Sequence, residues 1–200
     1  MTSTAAPAAT ASAVNSASDT AAQQRQAWLD HLWQRRHRLI YKARLSVLYH
    51  LKRSRFFDGF DKFAAIATAL SATSAVVTLL QSHDTANQAL ALATAGLSLV
   101  PIIYNPAQHA RHHAELVGRY RAVLAQMERA GEQWTEGQCN EFGAAIVEIE
   151  ATEPAPLGAL VAECQNQLGL AVPIEQRAPT VRLRLRHHLF KHFVDMTPSA

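Results

Sequence analysis

The sequence predicts an all-α protein made of a long basic N-terminal helix, a two-helix transmembrane hairpin and a cytoplasmic helical bundle. Three observations lead there. Apolar residues recur at spacings of three, four and seven, and no strand-like alternation appears before Val181-Arg-Leu-Arg-Leu-Arg. Two long stretches, 63 to 80 and 86 to 108, contain no Asp, Glu, Lys or Arg. The net charge of +3 hides a segmental pattern. Residues 25 to 62 hold ten Lys or Arg against three Asp, residues 111 to 178 hold five Arg against ten Glu, and the last 22 residues return to +3.

Residues 1 to 24 are rich in Ala, Ser and Thr, with no early Lys or Arg and no Leu-rich core. That composition predicts a disordered leader and not a secretory signal. From Ala21 to Phe57 there is no Gly or Pro, and Trp28, Leu32, Leu39, Leu45, Leu48 and Leu51 recur at helical spacing. Residues 25 to 62 therefore read as one basic amphipathic helix, with Tyr41 and Tyr49 placed against a membrane or a neighbouring helix. The helix ends in Arg53-Ser-Arg-Phe-Phe-Asp-Gly-Phe-Asp-Lys62. Here Arg53, Arg55 and Lys62 are expected to stay on the cytoplasmic side, and Phe56, Phe57 and Phe60 to enter the headgroup boundary. Gly59, between Asp58 and Asp61, is the expected hinge into the bilayer.

Residues 63 to 108 are the expected hairpin. Eighteen helical residues rise about 27 Å, against roughly 30 Å of bilayer hydrocarbon. The first run holds seven strongly apolar residues, six Ala and five Ser or Thr. This is weak for a lone span and suited to close helix packing, so Ala67, Ser71 and Ala75, with Ala89, Ala93 and Gly96, form the candidate oligomer face. An Ala-rich core of a soluble bundle would use similar residues. Charge placement favours the membrane, because both flanks are basic and the connecting loop carries no Lys or Arg, the pattern of a hairpin with both termini cytoplasmic.

Residues 109 to 170 resume an amphipathic pattern. Leu116, Tyr120, Val123, Leu124 and Met127 share a face that ends at Gly131, and Thr135 with Gln138 resembles a capping box before Phe142, Ile146 and Ile149. Glu153-Pro-Ala-Pro is a break, and Leu157, Leu160, Val161, Cys164 and Leu168 make the last stripe. Residues 171 to 200 form a basic tail whose RLRLRHHLFKHF run favours an amphipathic helix.

Chemistry is sparse. No GxSxG, P-loop or Gly-rich dinucleotide turn is present, so neither catalytic residues nor a cofactor are expected and the chain is not read as an enzyme. His109, His112 and His113, and His188 with His192, have the spacing of metal ligands on one helical face, but no acidic residue completes HExxH and no metal is expected. Cys139 and Cys164 lack any ligand or framework spacing and read as buried thiols. The basic helix could neutralise nucleic-acid phosphates. Membrane lipids are the preferred partner, because the charges cluster directly before residue 63.

The basic helix with RSRFFDGFDK, the hairpin, GRYRAVLAQME at 118 to 128, VEIEATEP at 147 to 154 and ALVAECQNQLGL at 159 to 170 occur in an order that resembles the SLATT domain. That family comprises two-transmembrane effectors found beside SMODS and SLOG proteins, and the likeness covers about residues 30 to 170. The resemblance implies a bacterial inner-membrane effector of antiphage defence, a homo-oligomer that permeabilises the membrane when a separately encoded sensor or nucleotide-signalling partner triggers it. It carries over Arg55, Phe56, Asp58 and Asp61 at the junction, Arg119, Tyr120 and Arg121 after the hairpin, and Glu150, Glu153, Pro154 and Asn166 in the body, with roles in packing and gating. A soluble or peripheral helical module that binds protein partners or nucleic acid is the alternative reading.

Overall fold

The computed structural model describes residues 8–71 and 103–170, and positions 89, 92, 93, 96, 99, 180, 181, 191, 192, 195 and 196; side chains are described from residue 20, those of 70 and 71 apart. Every regular element among the described residues is helical. These are α1 (Ala8–Ser71), α2 (Pro106–Arg129), α3 (Glu136–Glu150) and α4 (Gly158–Leu170). Positions 89, 92, 93, 96, 99, 103 and 104 are helical as well. Residues 72–88, most of the second uncharged run, and Ala75 of the expected oligomer face lie outside the described residues. Among those that are described, no helix is long and apolar enough to cross a membrane.

α1 and α2 pack antiparallel through matched seven-residue repeats. Ala43, His50, Phe57 and Ala64 are buried on α1, and Pro106, His113, Tyr120 and Met127 on α2. A period of 3.5 keeps one seam turned toward the partner helix along the whole contact. The direction follows from the contacts, which descend α2 as α1 ascends. Arg44 lies near Glu128, His50 meets His113, the Ser54 hydroxyl donates to the Ala110 carbonyl at 3.0 Å, and Phe57 packs on His109.

α2 starts sharply. Asn105 sits in the left-handed region at φ 43°, which Asn tolerates better than most residues, and its side chain accepts from the Gln108 amide. Pro106 follows at the first helical turn, where a missing N–H costs nothing. The helix stops before Gly131, whose φ of +76° suits a residue without Cβ. The Thr135–Gln138 capping box is present in both directions and opens α3, which buries Cys139, Phe142, Ile146 and Ile149.

α3 and α4 lie along successive stretches of α1, both running parallel to it. Arg35 donates to Asn140 and Lys42 to Glu150, while the Tyr49 hydroxyl accepts from the Leu157 amide and Lys52 meets Glu163. The opposed charges of the arm and the body thus find one another across these seams. Exposed pairs such as Lys42–Glu150 contribute about 0–1 kcal/mol each, so they select register more than they add stability.

Four expectations change. The leader is helical from Ala8, because Ala has the highest helix propensity and no Gly or Pro interrupts residues 8 to 24. Gly59 is not a break, since α1 continues through it to Ser71 with no positive φ there; the described turn between the uncharged stretch and the body is Asn105–Pro106. Phe57 does not reach a headgroup boundary, being 1% exposed inside the α1–α2 seam. In the tail, positions 180–181, 191–192 and 195–196 are non-helical, and residues 182–190 lie outside the described set.

Candidate functional site

A buried polar cluster occupies the α1–α2 seam, its α1 member His50 lying about three and a half helical turns before the uncharged stretch begins at residue 63. The seven-residue repeats place His50 and His113 in register, 63 positions apart in sequence, with ring atoms Nδ1 and Nδ1 at 2.9 Å. Only one proton fits between two facing imidazole nitrogens, so one ring donates and the other accepts. His50 Nε2 lies 3.0 Å from Glu153 Oε1. That is an ion-pair distance, yet neither atom meets the other at hydrogen-bond angles. The Tyr120 ring is stacked on His50 at 6.0 Å. Its hydroxyl is buried near Glu153 and Ser46 without a directed bond to either.

Burial holds His113 neutral. Desolvation is the main cause, with smaller electrostatic contributions from the neighbouring His50, Arg53, His112 and His109, bringing its pKa down to about 3. Burial pushes the Tyr120 phenol up, reinforced by Glu153. Glu153 responds in the other direction: burial would raise it, but the His50 and Tyr120 side chains outweigh that and keep its carboxyl below the ordinary value.

The cluster continues toward the junction through stacked rings. Phe57 lies parallel to His113 with centroids 5.7 Å apart, and the Arg53 guanidinium sits 4.4 Å from the centroid of the Phe57 ring. Arg53 also donates to the His192 carbonyl at 2.6 Å, and His192 stacks on Phe56 at 4.3 Å. Beside them Glu163 bridges Lys52 and Lys191 at 2.9 and 2.7 Å. Burial would raise the Glu163 carboxyl, and the two ammonium groups pull it below its usual range. The C-terminal residues therefore strap onto α1 where the basic arm meets the uncharged stretch. Asn166 adds a second fastening, exchanging two hydrogen bonds with the Val181 backbone at 2.8 and 2.9 Å.

The residues singled out from the sequence divide between this joint and the surface. Arg53, Phe56, Phe57, Tyr120, Glu153 and Asn166 belong to the joint or its strap. Arg119 donates to Thr152 Oγ1 at 3.0 Å and Glu150 pairs with Lys42, fastening α2 and α1 to the α3 end. Arg55, Asp58, Gly59, Lys62, Arg121 and Pro154 are exposed, Asp61 is half-buried, and Lys62 pairs with Asp58 one turn back. Ala89, Ala93 and Gly96 are exposed, Ala67 is half-buried, and Ser71 closes α1.

The histidine triplet does not converge. His113 turns to His50, while His109 packs against Tyr104 and Phe57. Among the described residues no three His, Cys, Asp or Glu side chains are placed to hold a metal ion. Cys164 is buried, and desolvation pushes its thiol up to about 11, which makes it an unreactive packing residue.

Sequence reasoning passed over His50, Ser46, Lys52 and Glu163. The available signal was the spacing Ala43, His50, Phe57, Ala64, hidden because those four residues share no hydropathy. Comparison with protein-family models, curated proteins and solved structures finds no match to this chain.

Proposed function

We propose that the chain is a bacterial membrane effector of the SLATT kind, a helical body on a two-helix hairpin that oligomerises and permeabilises the inner membrane when activated. One observation carries this reading. The described positions of residues 63–104 present Phe63, Ile66, Leu92, Leu99, Ile103 and Tyr104 at 48–80% exposure, around segments without a single Lys, Arg or Glu. Exposed apolar side chains on a stretch so poor in charge call for lipid or for another copy of the same segment. Membrane lipids and further copies of the chain are accordingly the expected partners, with both termini cytoplasmic and a separately encoded sensor as the trigger.

In this reading the joint couples body to hairpin. A body movement would reach residue 63 along α1, which is continuous from Ala8 to Ser71, and would be opposed by the His50–His113 contact and the C-terminal strap. The alternative of a nucleic-acid-binding basic arm loses support from the pairing of Lys42, Arg44 and Lys52 with Glu150, Glu128 and Glu163, which leaves fewer free cations for phosphates.

Carbonate extraction followed by dye release from anionic liposomes tests the proposal. Retention in the membrane and dye release are expected. Complete extraction into the soluble fraction refutes the hairpin, and retention without dye release reduces it to a passive anchor. Ser71→Leu should lower assembly while raising hydrophobicity, because bulk on a small-residue face prevents close helix approach.

A further inference from the structure

The chain has three tryptophans, and all of them line one groove at the opposite end of the body. Trp28 and Trp33 come from α1 and Trp134 from the α2–α3 loop, with Leu29 and Leu32 as an apolar floor. The cavity measures about 540 Å³, within the range of small-ligand sites. Its walls are held in place. Trp134 donates its indole N–H to the Gly131 carbonyl at 2.9 Å and packs on Phe142, while Trp33 packs at a tilt on His37 with centroids 3.9 Å apart. Trp28 and Trp33 nevertheless keep about half of their surface open, 48% and 59%.

The charge in this groove is Arg36. Four half-buried cations lie along α1, and three of them meet an oxygen: Arg35 at Asn140, Lys52 at Glu163 and Arg53 at the His192 carbonyl. Arg36 meets none among the described residues. Its guanidinium lies 5.3 Å from the centroid of the Trp134 ring, and its Nε is buried without a hydrogen-bond partner. A guanidinium partly withdrawn from water without a counter-ion is a recognition element for a carboxylate, sulfonate or phosphate. Glu132 also borders the groove but is exposed, so solvent screens it more than Arg36.

We propose that this groove binds a planar aromatic ring carrying an anionic group, the ring lying on the tryptophan faces and the anion on Arg36. The required ligand class follows from both halves of the site. A neutral ring would gain the stacking alone, and a cationic ring would meet repulsion from Arg36.

Because every tryptophan lies in the groove, intrinsic fluorescence of the full chain reads it directly. Three nitroaromatic quenchers serve as probes: 4-nitrobenzenesulfonate, neutral 4-nitrobenzyl alcohol and cationic 4-nitrobenzyltrimethylammonium. Saturable quenching is expected from the sulfonate, and only linear, collisional quenching from the other two. Arg36→Gln should weaken the sulfonate about tenfold, the loss expected for one charge-assisted contact. Arg36→Lys should fall between, since it keeps the charge without the planar fork. Equal quenching by all three probes on the native chain overturns the proposal, as does an unchanged sulfonate affinity in a folded Arg36→Gln variant.

Discussion

Lowering the pH from 7 to 5 should destabilise this protein through His113, and the size of the effect can be worked out. The unfolded chain takes up a proton on this histidine around its ordinary pKa of 6.5, while the folded chain resists protonation down to about 3. Below 6.5 the unfolded state therefore binds more protons, so the stability His113 contributes is complete at neutral pH and is lost progressively as pH falls toward 3. Over the interval from pH 7 to 5 the two titration curves differ by about 2 kcal/mol, at about 1.4 kcal/mol per pKa unit. For a chain of this size that is a fall of about 4–8 °C in midpoint temperature. The assay is thermal unfolding followed by circular dichroism at both pH values, on the native chain and on His113→Gln, which cannot titrate. His192, whose pKa burial and the nearby Arg53 bring down to about 4, acts in the same direction but is common to both proteins and cancels in the comparison. The native chain should lose about 4–8 °C more than the variant on acidification, with no difference in slope between pH 7 and 8. Equal losses would mean that His113 is not held neutral in the seam.

Three further outcomes follow from the same contacts. Phe57→Ala removes a ring that is 1% exposed between His113 and Arg53 and should cost about 3–5 kcal/mol in denaturant unfolding; a cost below ~1 kcal/mol would place the ring outside the core. Gly59→Ala should be neutral or stabilise by about 0.5–1 kcal/mol with liposome leakage unchanged, since an added Cβ meets nothing within 4 Å and the helix runs straight through; loss of leakage would restore Gly59 as a hinge. Glu163→Gln leaves Lys52 and Lys191 without their shared carboxylate and should speed removal of the C-terminal residues by limited trypsin digestion severalfold; an unchanged rate would show that this bridge does not hold the tail.

The joint also explains why a basic arm and an acidic body occur in one chain. α1 is too long to be covered by any single partner, so three shorter helices dock on it in succession, and like charge along the arm with opposite charge on the partners disfavours a shifted register. The polar seam adds specificity of another kind. Two histidines facing at 2.9 Å tolerate only one alignment of α1 and α2, because a slip by one turn would bury each ring against an apolar neighbour with its nitrogens unpaired.

What the sequence determined by itself was local. All-helical character, the end of α2 before Gly131, the Thr135–Gln138 box, the break at Glu153-Pro-Ala-Pro and the faces of α2 and α3 were legible, because each depends on residues within one or two turns of one another. Local signals also misled where two of them competed. Polar composition in residues 8 to 24 pointed to disorder and Ala propensity to helix, and Gly59 looked like a bend although glycine only weakens a helix that its neighbours continue. Only the tertiary structure decided which side of α1 is buried. The seam that runs through Ala43, His50, Phe57 and Ala64 is defined by α2 and not by hydropathy, so the leucines read as the core stripe serve partly as flanks toward α3 and α4. The same holds for both candidate sites. His50 with His113, and Trp28 and Trp33 with Trp134, become neighbours only when the fold lays α2 antiparallel along α1 and the chain turns at Gly131. No spacing within a single helix encodes that meeting, because the distance between the partners is closed by the fold.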